Sequence, residues 1–438
     1  MTILETPSTV TDTNLLPDTG PDFSNHPESF RATQQAAWDK FQSLPMPKRT
    51  DEAYRFADVK ALDISRFGRA EPVSDATQAM LVKLSIGLEE TSGQMTFAND
   101  RLLSRHFHGD SLSSKGVLWL PLDQAIAEHG DLVAKHFMRE DARIGSGKFA
   151  ALHASQVRGG MFLYVPRGVE IALPVETYHW LSGENASLFP HTLIVAEENS
   201  KVTVVDYFAN ASECPGFVCG INDISTAAGA KVTYVAVQEW NRNTLAIHMN
   251  NTIVARDASV LALRLNLGGR LVRDESISRL RGPGGRSDML SVSAAEGEQL
   301  FDQRTLQIHE APNATSDLLY KNALNDAART IFTGLIRVDK GAHKTDAYQK
   351  VRNLVLSEEA EANSAPGLEI EADDVRCTHG ATSGALDEEE IFYFQSRGIP
   401  RRVAQQLVTF GFLSEVFERI PDAALAAHLC ELLHGKLG

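Results

Sequence analysis

Near the end of the chain the run "DDVRCTHGATSG", Asp373 to Gly384, sets a thiol and an imidazole two residues apart, at Cys377 and His379. Three roles use such a pair. A thiolate activated by a histidine is a nucleophile. Thiolate and imidazole are also soft and borderline ligands for iron or zinc. Equally, a cysteine serves as a small core residue, and a histidine before a glycine closes a turn. The nucleophile requires an orienting group and an oxyanion hole from elsewhere in the fold, and no motif in the sequence supplies them. In the stretch "GLEIEADDVRCTHG", Leu368, Ile370 and Ala372 alternate with Glu369, Glu371 and Asp373 in the pattern of a half-buried strand. The Asp373-Asp374 doublet shifts the phase, after which Val375, Cys377 and His379 share one parity. If the strand continues, both groups project from one face. Two ligands do not complete a four-coordinate zinc site, so a metal here takes further ligands from another chain. Spacing alone leaves core strand and metal half-site both open.

The other cysteines offer less. Cys214 and Cys219 have four residues between them in "CPGFVC", a C-x4-C without the C-x2-C spacing of a zinc knuckle. Cys430 lies among the alanines and leucines of "AAHLCELLH", and His428 and His434 beside it read as surface residues. Four cysteines in 438 residues are no disulfide framework; reduced thiols in the cytoplasm are expected. The 42 basic and 57 acidic side chains leave a net charge of −15, which disfavours nucleic acid and anionic membrane as partners. The N-terminus lacks a basic-then-apolar leader pattern, and no apolar run reaches the roughly 18–20 residues that span a bilayer. "RGPGGR" lacks the P-loop lysine, so no nucleotide site is expected on this chain.

These groups must be positioned by three kinds of texture. Residues 1–28, rich in Thr, Pro, Asp and Ser, read as a flexible tail. Residues 29–150 read as mainly helical, with amphipathic stretches at "ESFRATQQAAWDKFQSL" and "PLDQAIAEHGDLVAKHFM" and a short strand at "GVLWL". In 151–383, short β-rich runs recur: "SKVTVVDYF", "AKVTYVAVQ" and "ASVLALRLN" align Val202, Val232 and Val260 at spacings of 30 and 28 residues. Asn199, Gly229 and Asp257 fill the matching turn position, where left-handed backbone is tolerated. A repeat of this length predicts the coils of a parallel β-helix; a β-sandwich is the alternative. Residues 384–438 read as three short helices. Asp387 and Glu390 are spaced for a capping box, Gly398 stops the first helix, and Pro400 and Pro421 start the next two. Their apolar surface packs on the β-region or docks another protein.

The stretch "IEADDVRCTHGATSGALDEEEIFYFQSRGIP" (Ile370–Pro400) resembles the SufB/SufD family of iron–sulfur cluster assembly scaffolds. "KTDAYQKVRNLVLSEEAEANSAPGLEI" (Lys344–Ile370) is similar to the segment that precedes this motif in the family. "RTDEAYRFADVKAL" (Arg49–Leu62) is similar to an N-terminal segment of its D-type members. SufB-like members carry a glutamate where this chain has Gly380, so the resemblance is to the D branch. It implies a right-handed parallel β-helix between helical end domains, and an assembly subunit with no catalytic activity of its own. It also implies a SufB-like partner bound through the β-helix and a SufC-like ATPase bound through the C-terminal helices, with self-pairing in isolation. His379 then matches a histidine at the SufB–SufD interface beside a transient iron–sulfur cluster, and Cys377 the neighbouring cysteine of the motif. A polysaccharide-acting β-helix enzyme and a purely structural scaffold are the rival functions.

Overall fold

The computed structural model describes residues 15, 16, 20, 26–107, 111–140 and 144–438; the tail expected over 1–28 lies largely outside them. From Gly160 to Gly384 the chain winds into a parallel β-solenoid of eight coils, each giving one strand to a first sheet and the next to a second. The coils pair Gly160–Val165 with Val175–Leu181, His191–Ala196 with Lys201–Asn210, Gly216–Thr226 with Lys231–Glu239, and Thr244–Val254 with Ser259–Asn266. They continue as Leu271–Leu280 with Arg286–Ala295, Leu300–His309 with Thr315–Leu324, Arg329–Val338 with Asp346–Val355, and Glu361–Ile370 with Arg376–Gly384. The fold is mainly β, flanked by N- and C-terminal helices. Successive coils pair in parallel, which excludes the sandwich.

The repeat read from the sequence is the register of the ladder: Val232 pairs with Val202 on one side and Val260 on the other. The corners follow the same order. Gly168, Asn199, Gly229, Asp257, Gly284 and Asn313 all take positive φ, between 54° and 71°. The Asn199 and Asp257 side chains each lie over the glycine of the next coil. A Cβ at Gly229 would stand 2.3 Å from Asn199 Oδ1, and one at Gly284 2.4 Å from Asp257 Oδ1. The register fades from the sequence after the sixth coil because the corner between Val338 and Asp346 is longer than those of the second to sixth coils.

Two expectations are corrected. The run from Gly367 to His379 is not one strand. Asp374, at φ 55°, turns a corner there, and Glu361–Ile370 and Arg376–Gly384 lie in different sheets. The N-terminal region is not mainly helical throughout. Beside the helices Glu28–Ser43 and Gly147–Gln156 and the strand Leu118–Pro121, residues Gly93–Ala98 and Arg101–Phe107 form an antiparallel hairpin. Asn99 and Asp100 make its two-residue turn at positive φ, the geometry that matches strand twist.

That hairpin extends the second sheet beyond the first coil, and Leu118–Pro121 pairs antiparallel with the first sheet. The helices Glu28–Ser43 and Gly147–Gln156 cover the first sheet's outer face, where Phe41, Phe149 and Leu152 pack with Phe217, Ile221 and Ile247. A buried ion network fastens this lobe. Arg273 bonds Glu275 at 2.8 Å and Asp302 at 2.5 Å, and Asp302 also accepts from Arg304 at 2.7 Å. Tyr54 stacks on the Arg273 guanidinium at 4.0 Å, and Ser146 donates to Glu275 at 2.6 Å. Burial pushes the Tyr54 hydroxyl up to about 12.

The lumen is largely apolar but carries buried charge from the second coil onward. Asp206 lies fully inside, accepting at Oδ2 from Thr192 at 2.5 Å and Tyr234 at 2.9 Å. Burial outweighs these bonds and raises its carboxyl to about 6. A carboxyl raised in the folded state binds protons more tightly there than in the unfolded chain. Stability therefore falls as pH climbs from about 4 to about 6, by at most about 3 kcal/mol from this group. Asp100 (raised to about 7) and Asp223 (to about 6) act in the same sense; His153, lowered to about 4, and His179, to about 3, oppose them. Urea unfolding between pH 4 and 7 isolates Asp206. Relative to the unmodified chain, Asp206→Asn should gain about 2 kcal/mol across that range, whereas parallel curves would show that Asp206 does not titrate there.

Candidate functional site

Cys377 and His379 lie on Arg376–Gly384, the last strand of the second sheet. The register sets Cys377 on Ala347 and His379 on Gln349, both buried, so the two side chains share the inward-facing parity that their spacing predicts. No further coil lies above them among the described residues. Cys377 is half-buried against Ala347, Leu368 and Val375, whereas His379 is exposed. Burial and the nearby Asp346 carboxylate push the Cys377 thiol above its usual range. Across the lumen, Asn353 ties the coil together, donating to Ser383 at 3.1 Å and Ser364 at 3.3 Å. A Cβ at Gly380 would meet nothing within 4 Å.

The two ends of the solenoid differ. The N-terminal end is finished by antiparallel strands. At the C-terminal end both sheets stop at edge strands, Glu361–Ile370 and Arg376–Gly384, each paired on one side only. Their backbone N–H and C=O groups are a template for another strand. Glu369, Glu371, Asp373 and Asp374 make the rim acidic and exposed. Among the described residues no group of three or more His, Cys, Asp or Glu is arranged to hold a metal ion. One chain thus offers an imidazole and a thiol at an open end, and nothing that completes a metal site.

The closing helices Arg401–Ser414 and Ala423–Leu437 lie on the outer face of the second sheet, burying Leu413, Leu425, Leu429 and Leu433 against Val235, Leu263, Leu290 and Leu319. Lys321, fully buried, pins them through the Phe412 carbonyl at 2.7 Å and Glu415 at 2.5 Å. Asp387 caps the helix Glu388–Ser396 through Glu389 N–H rather than Glu390, so the helix is N-capped as expected but not by the reciprocal box. Gly398 ends that helix at φ 83°. Apolar surface remains on the far side: Phe392 is 70% exposed, Tyr393 57%, and Val403 and Leu407 are also open. His428 is half-buried, edge-on to Tyr207, and Cys430 is half-buried; neither joins Cys377 or His379. Gln349, beneath His379, went unnoticed in the sequence because one glutamine in "DAYQK" carries no local signal.

Residues 179–412 match the model of the SufBD core domain of SUF-system FeS cluster assembly, and residues 23–177 that of the SufBD N-terminal region. The chain belongs to the SufBD family. It is similar to the iron–sulfur cluster assembly protein SufD of Bacillus subtilis, 31% identical over 409 residues that cover 92% of each chain. A SufBD family protein of Staphylococcus epidermidis is 27% identical over 311 residues, covering 71% of this chain and 67% of its own. The SufBD match spans both the solenoid and the lobe on its first sheet. No helix among the described residues is long and apolar enough to cross a membrane.

The burial of the four thiols orders their reactivity. Cys219 is wholly buried and its thiol is raised by desolvation. In native protein at pH 7.5, iodoacetamide should leave Cys219 unmodified and alkylate Cys377 several-fold more slowly than a free model thiol, read by peptide mass spectrometry. Alkylation of Cys377 at the model rate would mean that the eighth coil opens in solution.

Proposed function

We propose that this SufBD chain is the D-type subunit of an iron–sulfur cluster assembly complex, pairing through the open end of its solenoid with a SufB-like subunit. Cys377 and His379 form its half of a site where iron and sulfide, the substrates, are assembled. The observation that carries this reading is the asymmetry of the ends. Both ends stop at edge strands, but at one end these run antiparallel to the stack, whereas at the other the parallel stack simply ends, with an exposed imidazole on the inward column. A partner adding strands to those edges would gain main-chain hydrogen bonds and bring its own thiolates over His379. A neutral imidazole suits iron while thiolates come from the partner. In isolation, a second copy of the chain competes for the same edges.

The exposed Phe392, Tyr393, Val403 and Leu407 support docking of a SufC-like ATPase on the closing helices, since apolar groups clustered at a surface mark contact sites. ATP hydrolysis then belongs to that partner, and this chain is a scaffold. Four free cysteines fit a reducing compartment such as the cytoplasm. The polysaccharide-enzyme alternative is disfavoured because much of both outer sheet faces is packed under helices.

Anaerobic cluster reconstitution of the co-purified three-protein complex tests the site. His379→Ala should leave the complex intact and lower iron content and visible absorption by more than about half, two ligands from this chain becoming one; equal cluster content would reduce the chain to a scaffold. For docking, Leu407→Asp should leave thermal unfolding within about 0.5 kcal/mol of the unmodified chain, as for other surface changes. It should also weaken ATPase co-purification about tenfold; undiminished recovery would move the contact elsewhere.

A further inference from the structure

One inward column of the first sheet is polar along most of its length. The register stacks Thr192 on Asn222, Asn222 on Asn250, Asn250 on Ser276, Ser276 on Thr305, Thr305 on Gly334 and Gly334 on Pro366. From Thr192 to Gly334 this is five interstrand steps, about 24 Å. The lower half of the column is bonded within the chain. Asn222 donates to Asn250 at 2.6 Å, Asn250 to Ser276 at 3.1 Å, and Arg264 to Asn250 at 2.9 Å. A cavity of about 20 Å³ lies there, lined by Asn222, Asn250, Arg264, Ser276 and Tyr320 among others, which is room for one water.

The upper half is different. Gln303 Oε1, Thr305 Oγ1, Gln307 Oε1 and both amide atoms of Gln349 are buried and have no hydrogen-bond partner within the described chain. Two of these groups converge on one spot. A Cβ at Gly334 would stand 2.0 Å from Gln349 Nε2 and 2.6 Å from Thr305 Oγ1 and from the Phe332 ring, so these groups occupy the space that a side chain at 334 would take. Leaving each such group unpaired costs about 1–3 kcal/mol. Four residues of this kind would consume a large part of a domain's net stability of about 5–15 kcal/mol. Something small must satisfy them. An anion finds no donor at the Gln303 and Gln307 oxygens, and a cation none of its acceptors at the Gln349 NH2. Water serves both.

We propose that the lumen holds ordered water from the cavity at Arg264 to the unpaired polar groups packed over Gly334, beneath His379, which stacks directly on Gln349. The use of this water rests on the reading of the eighth coil as a cluster-assembly site. Each protein ligand that iron takes displaces a water from its shell. With a partner strand covering the end, the lumen is where that water goes, and the covered site stays wetted from below.

The test needs neither partner nor iron. A crystal structure of the full chain at about 1.5 Å should show ordered water bonded to Gln349, Thr305 and Gln307. In solution, oxygen-17 relaxation dispersion should count about two fewer long-lived internal waters in Thr305→Val/Gln349→Leu, and about one fewer in the near-isosteric Thr305→Val should the double variant fail to fold. A dry lumen with Gln349 bonded directly to Thr305, or unchanged water counts in a folded variant, overturns the proposal. Either result leaves the His379→Ala reconstitution unaffected, so the lumen water and the assembly site fail separately.

Discussion

Parallel, in-register stacking governs this molecule. Each residue of the solenoid sits about 4.8 Å from its counterpart one coil away, so a side chain must share a column with the same position of its neighbours. Apolar columns reinforce themselves, as at Val202, Val232 and Val260. A polar residue placed inward likewise recruits another, because its hydrogen bonds have few other partners: Asn222 reaches Asn250 on the first sheet, and Asn322 donates to Asn353 at 2.8 Å on the second. The same constraint creates the edges. A ladder that repeats has no internal reason to stop, so its ends need separate treatment. The N-terminal hairpin reverses strand direction at one end; the acidic rim of the eighth coil leaves the other available.

Much of this architecture is legible in the amino-acid sequence because the constraint acts on residue type at fixed intervals. Three aligned valines and the turn residues Asn199, Gly229 and Asp257 give both coil length and register. The shared parity of Cys377 and His379 survives although the strand bends at Asp374, since the corner precedes both. The hairpin Gly93–Phe107 escapes notice because its turn, Asn-Asp, lacks the glycine that usually marks such loops. Gln349 and the polar column escape for another reason. Their meaning depends on what stacks above and below across about 30 residues of sequence, and a reader following one strand sees only an occasional buried polar residue.

The candidate site illustrates the difference between a residue and its place. Cys377 and His379 occupy positions that in any earlier coil would be core, as Ala347 and Gln349 are. They become available only because the winding stops there. The closing helices do not cover this end; they fold back over the second sheet, held by Lys321 and Glu415. The chain thereby keeps the exposed apolar side chains of its closing helices and the edge strands of its eighth coil on different elements.

The corner column carries one more implication. Glycine and Asn or Asp alternate from Gly168 to Asn313, and the Asn199 and Asp257 side chains fill the space that the next glycine leaves. Deleting a single coil from this stretch would set two side chains over one another at one corner, or two glycines with a gap between them. Deleting two would restore the alternation. Through its middle coils the solenoid therefore has a structural unit of two turns, about sixty residues, rather than one, whereas beyond Asn313 the corner passes to Lys344 and Asp374 without a glycine.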